Sequence, residues 1–186
     1  PGQPPWYNWR GELYAELPQA DLSRLRGPVD LSEHGVLING GQGSLKLWAD
    51  MDHGRIGALT ADLRLQGLDA RLGADLPVLA VDELQGRISA HWGDEGWGLA
   101  SEDLRLRTRD GQAWPGGHLS LQRSNGRGGQ PASTALVADR VDLAALTALA
   151  THLPLGTPTH GWLARLQPVG QVQKLSLIHI SEPTRP

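Results

Sequence analysis

The chain has 186 residues, 39% of them hydrophobic, and a net charge of −3, a size that suits one ordinary domain or a slice of a larger protein. Its 17 basic residues, all but two of them Arg, are interspersed with 20 acidic ones, which excludes the clustered basic face of a nucleic-acid binder. Cysteine is absent, which removes disulfide scaffolds, thiolate metal sites and thiol nucleophiles, and no apolar run approaches the roughly 20 residues of a membrane-spanning helix.

The chain opens Pro1-Gly-Gln-Pro-Pro5, with neither a basic n-region nor an initiator Met. Its start therefore reads as a cut, with any targeting segment upstream. From residue 9 to residue 141 a two-residue alternation dominates. Trp9, Gly11, Leu13, Ala15 and Leu17 share one parity. Further along, Leu45 and Leu47 alternate with Lys46 and Trp48, and Leu63 and Leu65 with Arg64 and Gln66. Ile88, Ala90 and Trp92 alternate with Ser89 and His91, Leu104 and Leu106 with Arg105, and Leu119 and Leu121 with Ser120. Each run reads as a strand with one apolar and one polar face.

Turn residues separate the runs at Asn39-Gly40-Gly41, Asp52-His53-Gly54, Gly93-Asp94-Glu95-Gly96, Asp110-Gly111 and the loose loop over 124–131. Connections this short forbid parallel crossovers. The expected fold is mainly β: an extended, curved antiparallel meander of repeating strand pairs with an open apolar groove and one or two short helices. The helices are placed at 142–152, where Asp142 is the N-cap and Pro154 the stop, and more weakly at 159–166, with a single turn near Asp21. Leu143, Leu146, Leu149 and Leu153 fall at helical spacing.

An imperfect repeat runs through the strands. Gly43-Ser-Leu-Lys-Leu-Trp48 and Gly86-Arg-Ile-Ser-Ala-His-Trp92 each open a hairpin, and Asp62-Leu-Arg-Leu65 recurs as Asp103-Leu-Arg-Leu106 in the returning strand. A second echo pairs Ala20-Asp21-Leu22 with Val141-Asp142-Leu143. Repetition favours an extended scaffold over a single pocket.

No catalytic constellation emerges. The seven His are dispersed without a His-x-x-x-His pair. The segment Asp50-Met-Asp-His-Gly54 faintly resembles a calcium loop, but Ala61 stands where its bidentate Glu is needed. Asp94-Glu95 and Glu102-Asp103 are sequence neighbours, which in a strand point to opposite faces and cannot flank a glycosidic bond. Asn39-Gly-Gly-Gln-Gly43 lacks the Lys of a phosphate loop, and there is no Gly-x-Ser-x-Gly elbow. The expectation is a non-enzyme without cofactor or metal. Seven Trp against two Tyr and no Phe could supply sugar-stacking platforms, but Trp92 and Trp97 flank one turn and read better as a packed cross-strand pair.

The residues 86–115, from Gly86-Arg-Ile-Ser-Ala-His-Trp92 through Trp97 and Asp103-Leu-Arg-Leu-Arg-Thr108 to Asp110-Gly-Gln-Ala-Trp-Pro115, resemble the YhdP group of AsmA-like proteins. So do Val141-Asp-Leu-Ala-Ala-Leu146, Leu153-Pro-Leu155, Leu166-Gln-Pro-Val-Gly-Gln-Val172, Arg10-Gly-Glu-Leu-Tyr14 and Asp21-Leu22. The resemblance covers residues 9–174. It implies the periplasmic portion of a Gram-negative protein anchored in the inner membrane, a bridge carrying phospholipid to the outer membrane along an apolar β-groove. It carries no catalytic residues. Phospholipid acyl chains are the implied cargo, the anchor and outer-membrane components lie in parts beyond this chain, and nucleic acid is not an expected partner. Groove candidates are Leu45, Leu47, Leu63, Leu65, Ile88, Leu104, Leu106, Leu119 and Leu121. Two other readings stand beside this one: a non-conducting structural or assembly role in the envelope, and a carbohydrate-binding sandwich.

The end of the chain, Leu175-Ser-Leu-Ile-His-Ile180 and the residues after it, resembles the in-frame translation of a sequencing adapter. On that reading residues 1–174 form the repeating β-domain, while 175–186 are a non-native tail expected to make no specific packing contacts.

Overall fold

The computed structural model describes residues 10–24, 37–53, 55–126, 131–153 and 157–180. The strands are β1 (Arg10–Asp21), β2 (Leu37–Asp52), β3 (Arg55–Arg71), β4 (Leu79–Gly93), β5 (Gly96–Thr108), β6 (Ala113–Pro115), β7 (Leu119–Ser124), β8 (Ser133–Asp142) and β9 (Gln171–Ile180). They form one open antiparallel sheet in the order β1-β2-β3-β4-β5-β7-β8-β9, with β6 a short branch on β5. Nearly every strand pairs with its sequence neighbour, as short connections dictate. The meander is as the sequence implies, and β1 and β9 are its two edges.

Register fixes the faces, because residues opposite one another in an antiparallel pair share a side of the sheet. Leu17 lies opposite Leu45 and Leu45 opposite Leu63. On the other face Glu16 lies opposite Lys46, Lys46 opposite Asp62 and Asp62 opposite Arg87. Several runs that read as short strands in the sequence are long ones, up to 17 residues in β3, and bulges inside them keep the apolar side in phase. Asp103 (φ 47°) is the extra residue of β5 where the register with β4 shifts between Gln85 and Arg87. It returns Leu104 and Leu106 to the side held by Leu99 and Ser101 before the shift. A bulge of this kind bends its strand and increases the local twist.

The repeat acquires a structural meaning here. Gly86 (φ 143°) abuts the backbone of Asp103 and Leu104, and a Cβ on it would lie 2.6 Å from the Leu104 Cα. Gly43 (φ 154°) meets Arg64 and Leu65 in the same way. In both hairpins a glycine on the outgoing strand lets the Asp-Leu-Arg-Leu segment of the returning strand approach its backbone. The second echo is a shared cap: Asp21 Oδ1 accepts from Ser23 N (3.1 Å) at the 3-10 turn Leu22–Arg24, and Asp142 Oδ1 accepts from Ala145 N (2.9 Å) at a helix.

That helix, α1 (Leu143–Ala150), is followed by α2 (Thr157–Leu166), matching the two expected segments within a residue or two. Their apolar sides pack down: Ala145, Leu149 and Ala150 of α1 are buried, as is Leu163 of α2. The main core joins Ala20, Leu22, Leu65, Leu68, Ala70, Leu79, Val81 and Leu149, with Leu84, Leu106, Trp114 and Leu153 packed against it. It therefore sits at one end of the strands, under α1, and Val81 at its centre is only 1% exposed.

Two sequence expectations are corrected. Asn39-Gly40-Gly41 is not a turn but lies inside β2, where the register with β3 shifts on both sides of Gly40. The glycines permit a bulge, and Ile38 and Leu45 on either side keep the strand in the sheet. The tail is not without packing contacts either. Residues 171–180 form β9, with Leu175 opposite Ala138 and Leu177 opposite Leu136. The physical reason is that Leu-Ser-Leu-Ile-His-Ile alternates, and an unpaired β8 edge presents a row of backbone donors and acceptors that any alternating segment satisfies.

Candidate functional site: an apolar face capped at one end

Following the register across the sheet reveals rows of side chains running perpendicular to the strands. One row reads Leu13, Ala49, Leu59, Ala90, Leu99, Leu121, Leu136, Leu177. It crosses eight strands without a polar residue. The next row inward reads Ala15, Leu47, Ala61, Ile88, Ser101, Leu119, Ala138, Leu175, broken only by a hydroxyl. Further in, Leu17, Leu45 and Leu63 lead to Gly86 and, across the bulge, to Leu104. The innermost row, Gly43, Leu65, Leu84 and Leu106, enters the core under α1.

All nine groove candidates lie on this one face, but not in one environment. Leu121 belongs to the outer row, Leu47, Ile88 and Leu119 to the second, and Leu45, Leu63 and Leu104 to the third. Leu65 is buried in the core cluster, and Leu106 packs against it beside Trp114 and Leu153. Leu45 is buried as well, at 9% exposed, and Leu63 packs against the same cluster, so the covering reaches into the third row. The outer row holds exposed leucines, Leu13 at 49%, Leu99 at 42% and Leu177 at 58%, although its Ala49 is buried. Sequence parity places Leu13 on the apolar side, but alternation alone does not single out Leu59, Leu99, Leu136 and Leu177. The signal for Leu99 was its place two residues after Trp97.

Helix α1 ends this surface on one side only. Leu149 joins the core cluster and Leu153 packs on it, so the helix seals the inner end of the strands. Where α1 meets the ends of β4 and β5, a cavity of about 350 Å³ is lined by Val78, Leu79, Thr108, Arg109, Asp110, Leu149 and His152. Thr108, itself buried, donates to the Asp110 carboxylate and accepts from Gln112 N (2.9 Å), which fixes this turn. The Asp110 carboxyl is held below the usual range, chiefly by that hydroxyl.

The opposite face is a lattice of compensated charge. Arg87 donates to both oxygens of Asp62 (2.6 and 2.9 Å) and stacks 5.9 Å from the ring centre of Trp48. Lys46 pairs with Glu16 (3.2 Å) and Arg107 with Glu83 (2.8 Å). Tyr14 and Trp48 meet at 5.3 Å with their rings inclined by 42°. An inclined pair does not offer the flat platform on which a sugar ring stacks. Trp92 and Trp97 are cross-strand partners beside the β4–β5 turn, as their spacing implied.

A family model described as YhdP protein matches residues 4–184. The chain belongs to the YhdP family. The match spans nearly the whole sequence and makes it an AsmA-like envelope protein, in agreement with the open antiparallel sheet. No curated protein and no solved structure matches it. Among the described residues of this YhdP-family chain, no helix is long and apolar enough to cross a membrane.

Proposed function

We propose that this chain is a non-catalytic, periplasmic segment of a bridge that moves phospholipid between the inner and outer membranes, its acyl chains resting on the open leucine rows. The supporting observation is the unbroken outer row from Leu13 to Leu136, which crosses β1 to β5, β7 and β8. Acyl chains moving along a protein need apolar contact at each step, since a polar interruption would have to be crossed without a compensating partner. The strands supply that contact sideways, from each to the next. Neighbouring strands lie about 4.8 Å apart, so the row offers a new apolar residue at each such step. The inner-membrane anchor and the outer-membrane components that would complete the path belong to other parts of the system.

A purely structural envelope role requires the apolar face to be a dry core. The covering by α1 favours that reading for Leu65 and Leu106, but not for the outer row. A charge on that row decides between the two. In the intact parent protein, Leu99→Asp should reduce lipid passage severalfold, while Ala100→Asp, on the opposite face, should leave it near normal at equal protein level. Unchanged passage in Leu99→Asp, with the protein folded, would leave the structural role standing.

A further inference from the structure

At the outer end of the strands, beyond the leucine row, lies one more row on the same face: Trp92, Trp97, Arg123 and Thr134. Its character changes abruptly. An exposed guanidinium and two indoles border a surface that is otherwise leucine and alanine. On the polar face, Arg10, Arg87 and Arg107 each face a carboxylate within 2.8 Å. Arg123, like Arg64 and Arg105 of the polar face, has no ion pair among the described residues, but it alone of these three stands beside the apolar rows. Trp92, Trp97 and Arg123 also line a cavity of about 410 Å³ that wraps the β4–β5 turn, together with the acidic turn residues Asp94 and Glu95 and with His91 and Gln122 of the opposite face. The cavity therefore offers a cation and carboxylates within one small volume.

The dimensions fit a lipid lying along the strands. From Leu99 to Leu104 the apolar side of β5 extends about 17 Å at ~3.4 Å per residue. One leaflet of a bilayer's roughly 30 Å hydrocarbon core is about 15 Å deep. A diacyl lipid with its tails on these rows and pointing toward α1 places its headgroup at Arg123.

We infer that the row Trp97–Arg123–Thr134 and the adjoining turn form a headgroup site for a zwitterionic aminophospholipid. The phosphate sits on the Arg123 guanidinium, the ammonium faces the Asp94 side of the cavity, and the tails lie on the leucine rows. This deepens the conduit reading and rests on it. A guanidinium binds phosphate through paired N–H donors, and indoles suit the boundary between polar and apolar surroundings.

The test titrates the purified chain with short-chain diacyl phosphatidylethanolamine, phosphatidylglycerol and diacylglycerol of the same tails, and with inorganic phosphate, read by native mass spectrometry. The ethanolamine lipid should bind about tenfold more tightly than diacylglycerol and severalfold more tightly than the glycerol lipid, a tenfold ratio being about 1.4 kcal/mol. Arg123→Glu should abolish the advantage over diacylglycerol while leaving diacylglycerol binding unchanged, and Arg123→Lys should keep most of it. Asp94→Asn should remove the preference over the glycerol lipid. Arg123 is exposed, so unchanged thermal unfolding of these variants separates binding from folding. Equal binding of all three lipids, insensitive to Arg123→Glu, overturns the headgroup site and leaves the conduit standing. Binding of no lipid overturns both. Displacement of the ethanolamine lipid by equimolar inorganic phosphate, without diacylglycerol binding, overturns the lipid site in favour of a bare anion site. Equal affinity for the ethanolamine and glycerol lipids overturns the part assigned to the carboxylates.

Discussion

Leu65 and Leu99 face the same side of the sheet, yet their surroundings differ as much as those of any two leucines in the chain. Leu65 is 6% exposed within the cluster that Leu149 closes, whereas Leu99 is 42% exposed on the outer row. Truncating a buried leucine removes its transfer energy and leaves a cavity. Leu65→Ala should therefore cost about 2–5 kcal/mol, while Leu99→Ala should cost under about 1 kcal/mol, and urea unfolding of the two variants measures both. Equal losses would mean that the outer row is covered as well. On the polar face, the Arg87 guanidinium holds the Asp62 carboxyl below its ordinary range, against the opposing effect of burial. A carboxyl lowered in the folded state contributes stability above its unfolded value of about 3.9 and loses it as pH falls through the lowered folded value. Asp62→Asn should therefore flatten the acid limb of the stability profile below about pH 4, a change that thermal melts between neutral and acidic pH detect. Single residues were legible in sequence wherever alternation alone decides: the opposite placement of Leu63 and Arg64, or of Leu104 and Arg105, follows from a period of two. Burial was not legible at this scale, because parity is the same for Leu65 and Leu121 while only one of them lies beneath a helix.

At the scale of elements, the alternating runs, the Asp142 cap and the β4–β5 turn were all readable, because each is governed by residues close in sequence. Register was not. A period of two fixes which face a side chain takes but leaves the offset between strands open, and bulges at Asp103 and within Ile38–Gln42 change that offset midway. The rows that define the candidate site exist only once the offsets are known, which is why Leu59, Leu99 and Leu136 are not evident from alternation alone. The segment β9 is the plainest case of an element whose pairing depends on its neighbour. It lies on β8 along the edge, with Leu177 and Ile178 more than half exposed, and backbone pairing accounts for more of its attachment than packing does. Removing residues 175–186 should lower the unfolding free energy by less than about 2 kcal/mol, since little apolar area is lost. It should also uncover part of the β8 edge, which then pairs with a second copy of the chain. Sedimentation velocity over a concentration series reads that association. A truncated chain that stays monomeric and loses much more stability would give the segment a structural role equal to that of the other strands.

Taken as a whole, the molecule is an open sheet with unlike faces. One carries paired charges across β1 to β5. The other carries leucine rows that are sealed by α1 at the inner end and bordered by Trp97 and Arg123 at the outer end. Open edges at β1 and β9 allow the same rows to continue into neighbouring strands of a longer sheet, and the repeated glycine-kinked hairpin is a unit suited to such continuation. An apolar face of this extent, capped by α1 at one end, is the feature on which the proposed lipid conduit rests. The most direct measurement is site-specific photocrosslinking in cells that express the intact parent protein. A photoreactive side chain at position 99 or 121 should capture phospholipid, and one at position 65, under the helix, or at position 100, on the charged face, should not. Lipid captured at position 100 but never at 99 or 121, in a protein that still supports growth, would contradict the account.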